Sequence, residues 1–316
     1  MVETNNYVLI IGSSNMDLNV YLERLPKPGE TVTGGVHKQF LGGKGANQAV
    51  ASVRSGAKTV FIGKIGKDMF GDQMLSRLKA EGIDTSHIFR DPNEASGVAL
   101  IMIDSNGENI IGVAPGANFR LTPDEVKIKS NLIKNAGAIV VQMEISIATI
   151  DTIFRIASQG NAIKILNPAP LKPIPLDTLK KVDIIVPNEG ELLRLHSFSI
   201  QKELSGSNNE KIKQASKNLT KLGIKTIITT LGKKGALIYY GDKDKFEIIP
   251  ALKVQAVDTV GAGDCFNGCL ASALSIGKTI SEAAKFATAA ASIAVTRKGA
   301  QKSMPYYEEI IKKIKN

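Results

Sequence analysis

The stretch Val8-Leu9-Ile10-Ile11, closed by Gly12, predicts a short strand buried on both faces, because a continuous apolar and β-branched run suits the interior of a parallel sheet. Helical patterns separate many runs of this kind. Thr122-Pro123-Asp124-Glu125 is a capping box with proline at the first helical position and predicts a helix toward Lys134, and residues 147–158 predict another helix. This alternation predicts a parallel sheet covered by helices. The comparable runs lie at 59–62, 138–141, 163–166, 183–186 and 226–229.

Two segments break this alternation. Residues 18–21 and 30–40 resemble strands with no helix between them, and residues 97–104 and 109–113 flank an Asn106-Gly107 pair that marks a hairpin turn. We expect these strands to form a small antiparallel sheet outside the parallel one. Such a sheet serves as a lid over a crevice, as a contact surface in an oligomer, or as both.

Composition bounds the class of protein. The chain has 316 residues, 43% of them hydrophobic, and its 40 Lys and Arg against 30 Asp and Glu give a formal net charge of +10. A chain of this size buries a full core, which excludes a disordered tail and a disulfide-stapled miniature domain. Because the lysines are spread out and form no compact patch, a solvated surface is favoured over a nucleic-acid partner. No composition shift or repeat marks a second domain, so we expect one domain over 1–316.

Targeting signals and cysteines bear on the compartment. The apolar run at 8–11 is too short for a membrane span or a signal peptide, and residues 1–4 lack a basic segment. Cys265 and Cys269 stand four residues apart in a helical stretch, where they are typical of small core residues and not of a disulfide. We expect a cytoplasmic protein with no membrane partner.

The stretch 257–268, Val-Asp-Thr-Val-Gly-Ala-Gly-Asp-Cys-Phe-Asn-Gly, delivers the chain to a helix that runs through Leu274. Its glycines admit a ligand closely, and the free amides and dipole of the first helical turn suit an anion such as a phosphoryl group. The carboxylate of Asp264 would repel a bound phosphate. Two interpretations stay open: Asp264 is a plain N-cap with no anion nearby, which spacing alone favours, or it is a base beside a transferring group.

Other phosphate and metal motifs fail. Gly277-Lys278-Thr279 matches the end of a Walker A loop, but Ser272 stands where its first glycine belongs, and Phe266 breaks the dinucleotide fingerprint. The histidines show no spacing typical of a zinc site. Phosphate binding therefore rests on the helix N-terminus alone.

Polar residues follow several predicted strands. Asn15 and Asp17 come after the first strand, and Gly42-Gly43-Lys44-Gly45-Ala46-Asn47 precedes an alanine-rich helix. Such side chains grip sugar hydroxyls, although a polar turn and a glycine-rich helix entry explain each motif equally well. Ligands of open α/β sheets bind where parallel strands end, so the coincidence favours a binding site. Further residues just beyond strands are Glu144, Asn188 and Glu191.

The motifs 42–47 and 258–264 resemble the two signatures of the PfkB-type carbohydrate kinases, and the resemblance covers nearly the whole chain. Four further segments narrow it to the ribokinases of that family: 28–32, 167–170, 187–189 and 294–301. The resemblance implies a three-layer α/β/α sandwich with a mainly parallel central sheet and a small antiparallel β lid built from about 15–40 and 97–113. It also implies ATP-dependent phosphorylation of D-ribose at its 5-hydroxyl. With the resemblance, the interpretation of Asp264 as a catalytic base is favoured over its interpretation as an N-cap.

Site residues carry over by the same resemblance. Asp264 is the implied base, and Gly261, Ala262 and Gly263 form the implied anion hole. The implied sugar contacts are Asn15, Asp17, Gly43, Lys44, Asn47, Glu144 and Asp264. The implied nucleotide contacts are Asn188, Glu191 (through Mg²⁺), Thr230, Leu231, Gly232, Lys233, Lys234, Gly235, Gly263 and Thr288. The implied K⁺ site comprises Asp258, Val260, Ala294, Arg297, Gly299 and Ser303. Thr288, where the family often has His or Asn, and Cys265, where it often has Thr, depart from the pattern.

The family commonly dimerises through its lid strands, so the resemblance implies a homodimer. Two alternatives remain. One is a related kinase that acts on 2-deoxyribose, another sugar or a nucleoside. The other is a non-catalytic sugar- or nucleotide-binding regulator, for which the +10 charge would serve nucleic acid, although none of the motif residues is missing as a dead kinase would require.

Overall fold

The computed structural model describes residues 7–200 and 202–315. Its strands are β1 (Tyr7–Ile11), β2 (Asn15–Tyr21), β3 (Val36–Gly42), β4 (Lys58–Ile62), β5 (Lys64–Gly66), β6 (Phe89–Asp91), β7 (Gly97–Ile103), β8 (Asn109–Ala114), β9 (Ala138–Gln142), β10 (Ile163–Asn167), β11 (Ile184–Ile185), β12 (Thr226–Thr230), β13 (Ala236–Tyr240) and β14 (Lys245–Ile249). Its helices are α1 (Lys44–Arg54), α2 (Met69–Ala80), α3 (Pro123–Ile128), α4 (Ser130–Lys134), α5 (Ile147–Ala157), α6 (Leu176–Leu179), α7 (Glu189–Ser199), α8 (Asn208–Thr220), α9 (Ala262–Ser275), α10 (Ile280–Ala294) and α11 (Tyr307–Lys315).

The central sheet has eight strands in the order β14-β13-β12-β11-β10-β9-β1-β4. All the apolar runs predicted as strands lie in it, and they pair in parallel from β4 to β12. The antiparallel hairpin of β13 and β14 extends one edge and was not predicted, because only β13 has a continuous apolar run.

Helices cover both faces of this sheet. Val8 and Ile10 of β1 point into a core shared with α1, α9 and α10, whereas Leu9 and Ile11 point into a second core with α5, α7 and α8. Successive side chains of a strand face opposite sides, so a doubly buried strand needs apolar residues throughout. The predicted three-layer α/β/α architecture is confirmed.

The predicted small sheet outside the central one is also confirmed. It has the order β3-β2-β7-β8, and β2 pairs antiparallel with β3, as β7 does with β8. The inner strands β2 and β7 run parallel, because both leave the body of the protein at neighbouring points, Asn15 and Gly97. The strand expected from residue 30 begins only at Val36. We call this sheet the lid.

The helix predicted from the Thr122 capping box forms, but it ends at Ile128 and is followed by a separate short helix, α4. At this break the Ser130 hydroxyl donates to the carbonyl of Lys127, a side-chain bond that competes with the helical pattern. The predicted helix at 147–158 is α5, capped by Ser146. Over residues 7–200 and 202–315, none of the helices is long and apolar enough to cross a membrane.

Candidate active site

Glycines at the end of β3 bring the lid base against the start of α1. Gly43 has φ +85°, and a Cβ atom there would lie 2.7 Å from the backbone nitrogen of Asn15. A Cβ atom on Gly42 would lie 2.2 Å from the Oδ2 atom of Asp17. The motif therefore uses glycine for close approach, and this places Asn15 and Asp17 beside the first turn of α1.

The residues predicted to contact a sugar come together at this point. Glu144, which follows β9, accepts a hydrogen bond from the backbone nitrogen of Lys44 at 3.0 Å. The Nδ2 atom of Asn47 donates to Oδ2 of Asp264 at 2.9 Å, and the Oδ1 atom of Asn47 is buried without a partner among the described residues. Four distant chain segments thus build one polar cluster.

Asp264 is not the N-cap of α9, so that interpretation was wrong. Gly261 is the N-cap residue, with φ 76° in the left-handed region, and a Cβ atom there would lie 2.9 Å from Cα of Ala300. Because Gly261 takes the cap position, Asp264 falls in the first turn of the helix. Its buried carboxylate turns toward α1, where it accepts hydrogen bonds from Asn47 and Gln48.

Three carboxyl groups and one ammonium group set the electrostatics of the cluster. Burial, reinforced by Glu144 and Asp264, raises the pKa of Asp17 to about 7. Burial also raises the pKa of Asp264, while Lys44, Asn47 and Gln48 act in the opposite direction. The negative charge of Asp264 is the largest cause that raises the pKa of Lys44. The cluster is therefore rich in hydrogen-bond acceptors, which suits a ligand with several hydroxyl groups.

Backbone amides without a helical partner lie at the start of α9, in the turn that carries Asp264. Within the described part of the chain, the amides of Gly261 and Gly263 donate to no protein acceptor, whereas that of Ala262 donates to the carbonyl of Thr259 at 3.2 Å. Gly261 and Gly263 thus retain the donors expected of an anion hole, and Ala262 is partly engaged.

A cavity of about 480 Å³ opens at the start of α9, where Ala262 and Gly263 line it. The predicted nucleotide residues that line it are Thr230, Gly232, Lys233, Gly235, Gly263 and Thr288. Leu231 and Lys234 belong to the same turn but do not line the cavity, and Asn188 adjoins it because Thr230 donates to the carbonyl of Pro187 at 2.9 Å.

Sequence reasoning missed part of this lining. The loop after β14 contributes Ala251, Leu252, Lys253, Val254 and Ala256, and α10 contributes Ala291 and Ser292. The loop carries no motif that would have indicated it. The α10 residues share one helix face with Thr288, at spacings of three and four, and that periodicity was a usable signal.

Asn188 and Glu191 form a capping box at the start of α7. The side chain of Asn188 accepts from the backbone nitrogen of Glu191, and Oε2 of Glu191 accepts from that of Asn188, both at 2.8 Å. Burial raises the pKa of Glu191. One carboxylate oxygen of Glu191 is therefore committed to the helix, and the other is left for a ligand.

The predicted K⁺ residues lie before α9, at the end of α10 and in the segment that follows α10. Asp258 accepts from the backbone nitrogens of Val260 at 2.9 Å and Gly299 at 2.8 Å, which ties the loop before α9 to the loop after α10. The Arg297 side chain pairs with Glu309, and the Ser303 hydroxyl donates to the carbonyl of Ala300 at 2.7 Å. Residues here, including Ala294, would therefore act through carbonyl oxygens. In the described ranges, these loops included, no group of three or more His, Cys, Asp or Glu side chains is placed to hold a metal ion.

The sequence profile of the pfkB family carbohydrate kinases matches residues 5–306. The chain belongs to this family. A ribokinase of Staphylococcus aureus (strain COL) is 39% identical over 307 residues, covering 96% of this chain and 98% of the relative. A deoxyribokinase of Salmonella typhi is 35% identical over 303 residues, covering 96% of each. The structure of Arabidopsis thaliana ribokinase complexed with ribose and ATP is 33% identical, with a TM-score of 0.88 over 98% of this chain and 99% of that one.

The resemblance stated from the two signature motifs is thus confirmed, and the protein is a PfkB-type sugar kinase. Several buried polar residues of this sugar kinase escaped sequence reasoning. Gln48, Gln142 and Asn167 form hydrogen bonds behind Asp264, and Asn118 holds the side chain of Asn15 at 2.8 Å. Gln48 directly follows the motif 42–47 and Asn167 opens the segment 167–170, so the sequence offered a signal for these two residues.

Proposed function

We propose that this protein phosphorylates D-ribose at its 5-hydroxyl with ATP, giving D-ribose 5-phosphate and ADP. The observation that carries this proposal is the position of Asp264. Its buried carboxylate lies close enough to Asp17 and Glu144 to affect, or be affected by, their charge, and Gly263 of the same helix turn lines the 480 Å³ cavity. A sugar in the cluster and a nucleotide in the cavity would meet at this turn.

In the proposed reaction, Asp264 takes the proton of the 5-hydroxyl as the sugar oxygen attacks the γ-phosphorus of ATP. Lys44 and the amide donors of Asn47 and Gln48 favour the ionised carboxylate, although burial opposes it. The amides of Gly261 and Gly263 stabilise the charge that develops on the transferred group. The bond from the γ-phosphorus to ADP breaks as the new bond to the sugar oxygen forms.

Two cations belong to the proposal. Glu191, with one carboxylate oxygen outside its capping box, is the residue that would hold Mg²⁺, and oxygen donors suit that ion. When bound, Mg²⁺ neutralises phosphate charge. The Asp258 carboxylate and the carbonyl oxygens of residues 260, 294, 297, 299 and 303 are hard donors suited to K⁺, and the contact of Gly261 with Ala300 links that loop to the amides.

The identity of the preferred sugar is a separate question from the reaction type. Asp17, Glu144 and the unpartnered Oδ1 atom of Asn47 favour a compact sugar with several hydroxyl groups. The deoxyribokinase relative makes 2-deoxyribose the second candidate. A coupled assay of ADP release over ribose, 2-deoxyribose, other sugars and nucleosides decides between them, and we expect ribose to give the highest kcat/KM.

The Asp264→Asn substitution tests the proposed base. Loss of general-base catalysis is expected to lower kcat about 10²- to 10⁴-fold, while the melting temperature is retained. Asp124→Asn, which neutralises an exposed carboxylate in the first turn of α3, is the matched control and should leave kcat unchanged. Turnover by Asp264→Asn at the rate of the unmodified enzyme would rule out Asp264 as the base.

We also propose that the protein forms a homodimer through the lid. Apolar side chains stay exposed on this sheet, and such side chains on an edge strand favour a partner. Those on β7 and β8 are Leu100 (58% exposed), Ile110 (48%), Ile111 (55%) and Val113 (54%).

A further inference from the structure

A chain of buried carboxamides stands behind Asp264. The Nε2 atom of Gln142, at the end of β9, donates to Oε1 of Gln48 at 2.6 Å. The Nε2 atom of Gln48 donates to Oδ1 of Asp264 at 3.0 Å and to Oδ1 of Asn167 at 3.1 Å. Asn167 in turn donates to the carbonyl of Val186 at 3.0 Å. We call Gln142, Gln48 and Asn167 the amide relay.

The relay fixes which end of Gln48 faces Asp264. Because Oε1 of Gln48 accepts from Gln142, only its Nε2 group is left to donate to the carboxylate. A flipped amide would place nitrogen against nitrogen at Gln142 and oxygen against oxygen at Asp264. Gln142 and Gln48 are fully buried, and Asn167 is 7% exposed, so water does not compete for these bonds.

Fold stability alone does not explain the relay. A core packed with apolar side chains of the same shape is about as stable as a fully bonded polar network, and this network is incomplete. Oε1 of Gln142 is buried without a partner among the residues described, which costs free energy. A network kept at such a cost points to a role in the site that it contacts.

We propose that Gln48, held by Gln142 and Asn167, is a positioning residue that anchors Oδ1 of Asp264 and leaves Oδ2 as the oxygen that takes the proton of the sugar hydroxyl. This inference rests on the proposed function, because it needs Asp264 as the base. The proton passes from the hydroxyl to Oδ2, and the electron pair of the broken O–H bond stays on the sugar oxygen that attacks phosphorus. Asn47, the other donor to Asp264, bonds to this same Oδ2 atom at 2.9 Å and is itself one of the residues proposed to contact the sugar.

The relay also favours the ionised form of the base. A donor to a carboxylate stabilises its charged form, so removal of that donor raises its pKa. The acid limb of the pH profile of kcat then moves to higher pH, because protonation inactivates the base at a higher pH than before. A residue that only supported the fold would lower activity or stability without moving this limb.

The test compares Gln48→Met and Gln142→Met with the unmodified enzyme over a range of pH. Methionine keeps the length of glutamine and removes its hydrogen bonds. For Gln48→Met we expect kcat to fall about 10- to 100-fold and the acid limb to rise by about one pH unit, with the KM for ATP unchanged. Gln142→Met acts through Gln48 and should move the limb in the same direction by less.

Ser52→Ala is the matched control. Ser52 is buried on α1, as Gln48 is, and the substitution removes its 2.9 Å hydrogen bond to Thr59 but no bond of the relay. Its acid limb should stay in place. If Gln48→Met does not fold, Gln142→Met carries the test, since it contacts Asp264 only through Gln48. Suppose that Asp264→Asn is inactive and that the relay variants fold but keep the acid limb of the kcat profile at its original pH. This result would overturn the inference and leave the proposed function standing. An Asp264→Asn protein with the turnover of the unmodified enzyme would instead rule out Asp264 as the base and this inference with it, whereas failure of the unmodified enzyme to release ADP with ribose would remove the proposed function itself.

Discussion

At the scale of single residues, Asp17 places a carboxyl group where charge is costly. Burial beside Glu144 and Asp264 raises its pKa from 3.8 to about 7 in the folded protein. The folded state therefore holds a proton that the unfolded state has released, and the stability due to that proton is lost as the pH rises from about 4 to about 7. A ligand hydroxyl that donates to Asp17 would offset part of this cost.

We predict that Asp17→Asn stabilises the sugar-free protein at alkaline pH while weakening sugar binding. Asparagine carries no charge at any pH. The free energy of unfolding of the variant, relative to that of the unmodified protein, should therefore grow by about 2 kcal/mol between about pH 5 and about pH 8. Melting curves at both pH values measure this, with the exposed Asp124→Asn as control. An advantage independent of pH would show that ionisation of the buried Asp17 carboxyl does not destabilise the fold.

At the scale of secondary-structure elements, three lid strands meet the body of the protein at Asn118. Its Nδ2 atom donates to the carbonyl of Ser14 at 3.1 Å, to Oδ1 of Asn15 at 2.8 Å and to the carbonyl of Pro115 at 3.0 Å. These residues adjoin the start of β2 and the end of β8, and β7 begins beside them at Gly97. The orientation of the Asn15 side chain is thus tied to the base of the lid.

We predict that Gly97→Ala raises the KM for the sugar by about tenfold or more and leaves the KM for ATP unchanged. A Cβ atom at Gly97 would lie 2.3 Å from both Nδ2 of Asn118 and Oδ1 of Asn15, so the bond between them must break. Gly112→Ala is the control on β8, where a Cβ atom meets nothing within 4 Å. Equal KM values for the two variants would show that the bond from Asn118 does not position Asn15.

At the scale of the whole molecule, the lid is the surface that we expect to join two copies. Ile111→Lys places a charge among the exposed apolar side chains of β8, and light scattering at low concentration should show its mass fall toward that of a monomer. Ile128→Lys changes an isoleucine that is 75% exposed on the body, and it should keep the mass of the unmodified protein. An Ile111→Lys protein that stays a dimer would exclude this part of the lid from the interface.

Local sequence determined much of this protein. The apolar runs at 8–11 and 138–141 specify doubly buried strands, because continuous β-branched residues suit a strand that is covered on both faces. The motifs 42–47 and 258–264 identify the family and mark the two glycine-rich helix starts. Each of these signals depends on residues close together in the chain.

Only the tertiary structure decided how the site is assembled. It turned Asp264 away from the cap position, placed Asn47 against it across 217 residues, and brought the loop at 251–256 to the cavity. It also revealed the amide relay, whose members come together from α1, β9 and β10. Contacts between distant segments depend on how helices and sheets pack, and local patterns carry no record of that packing.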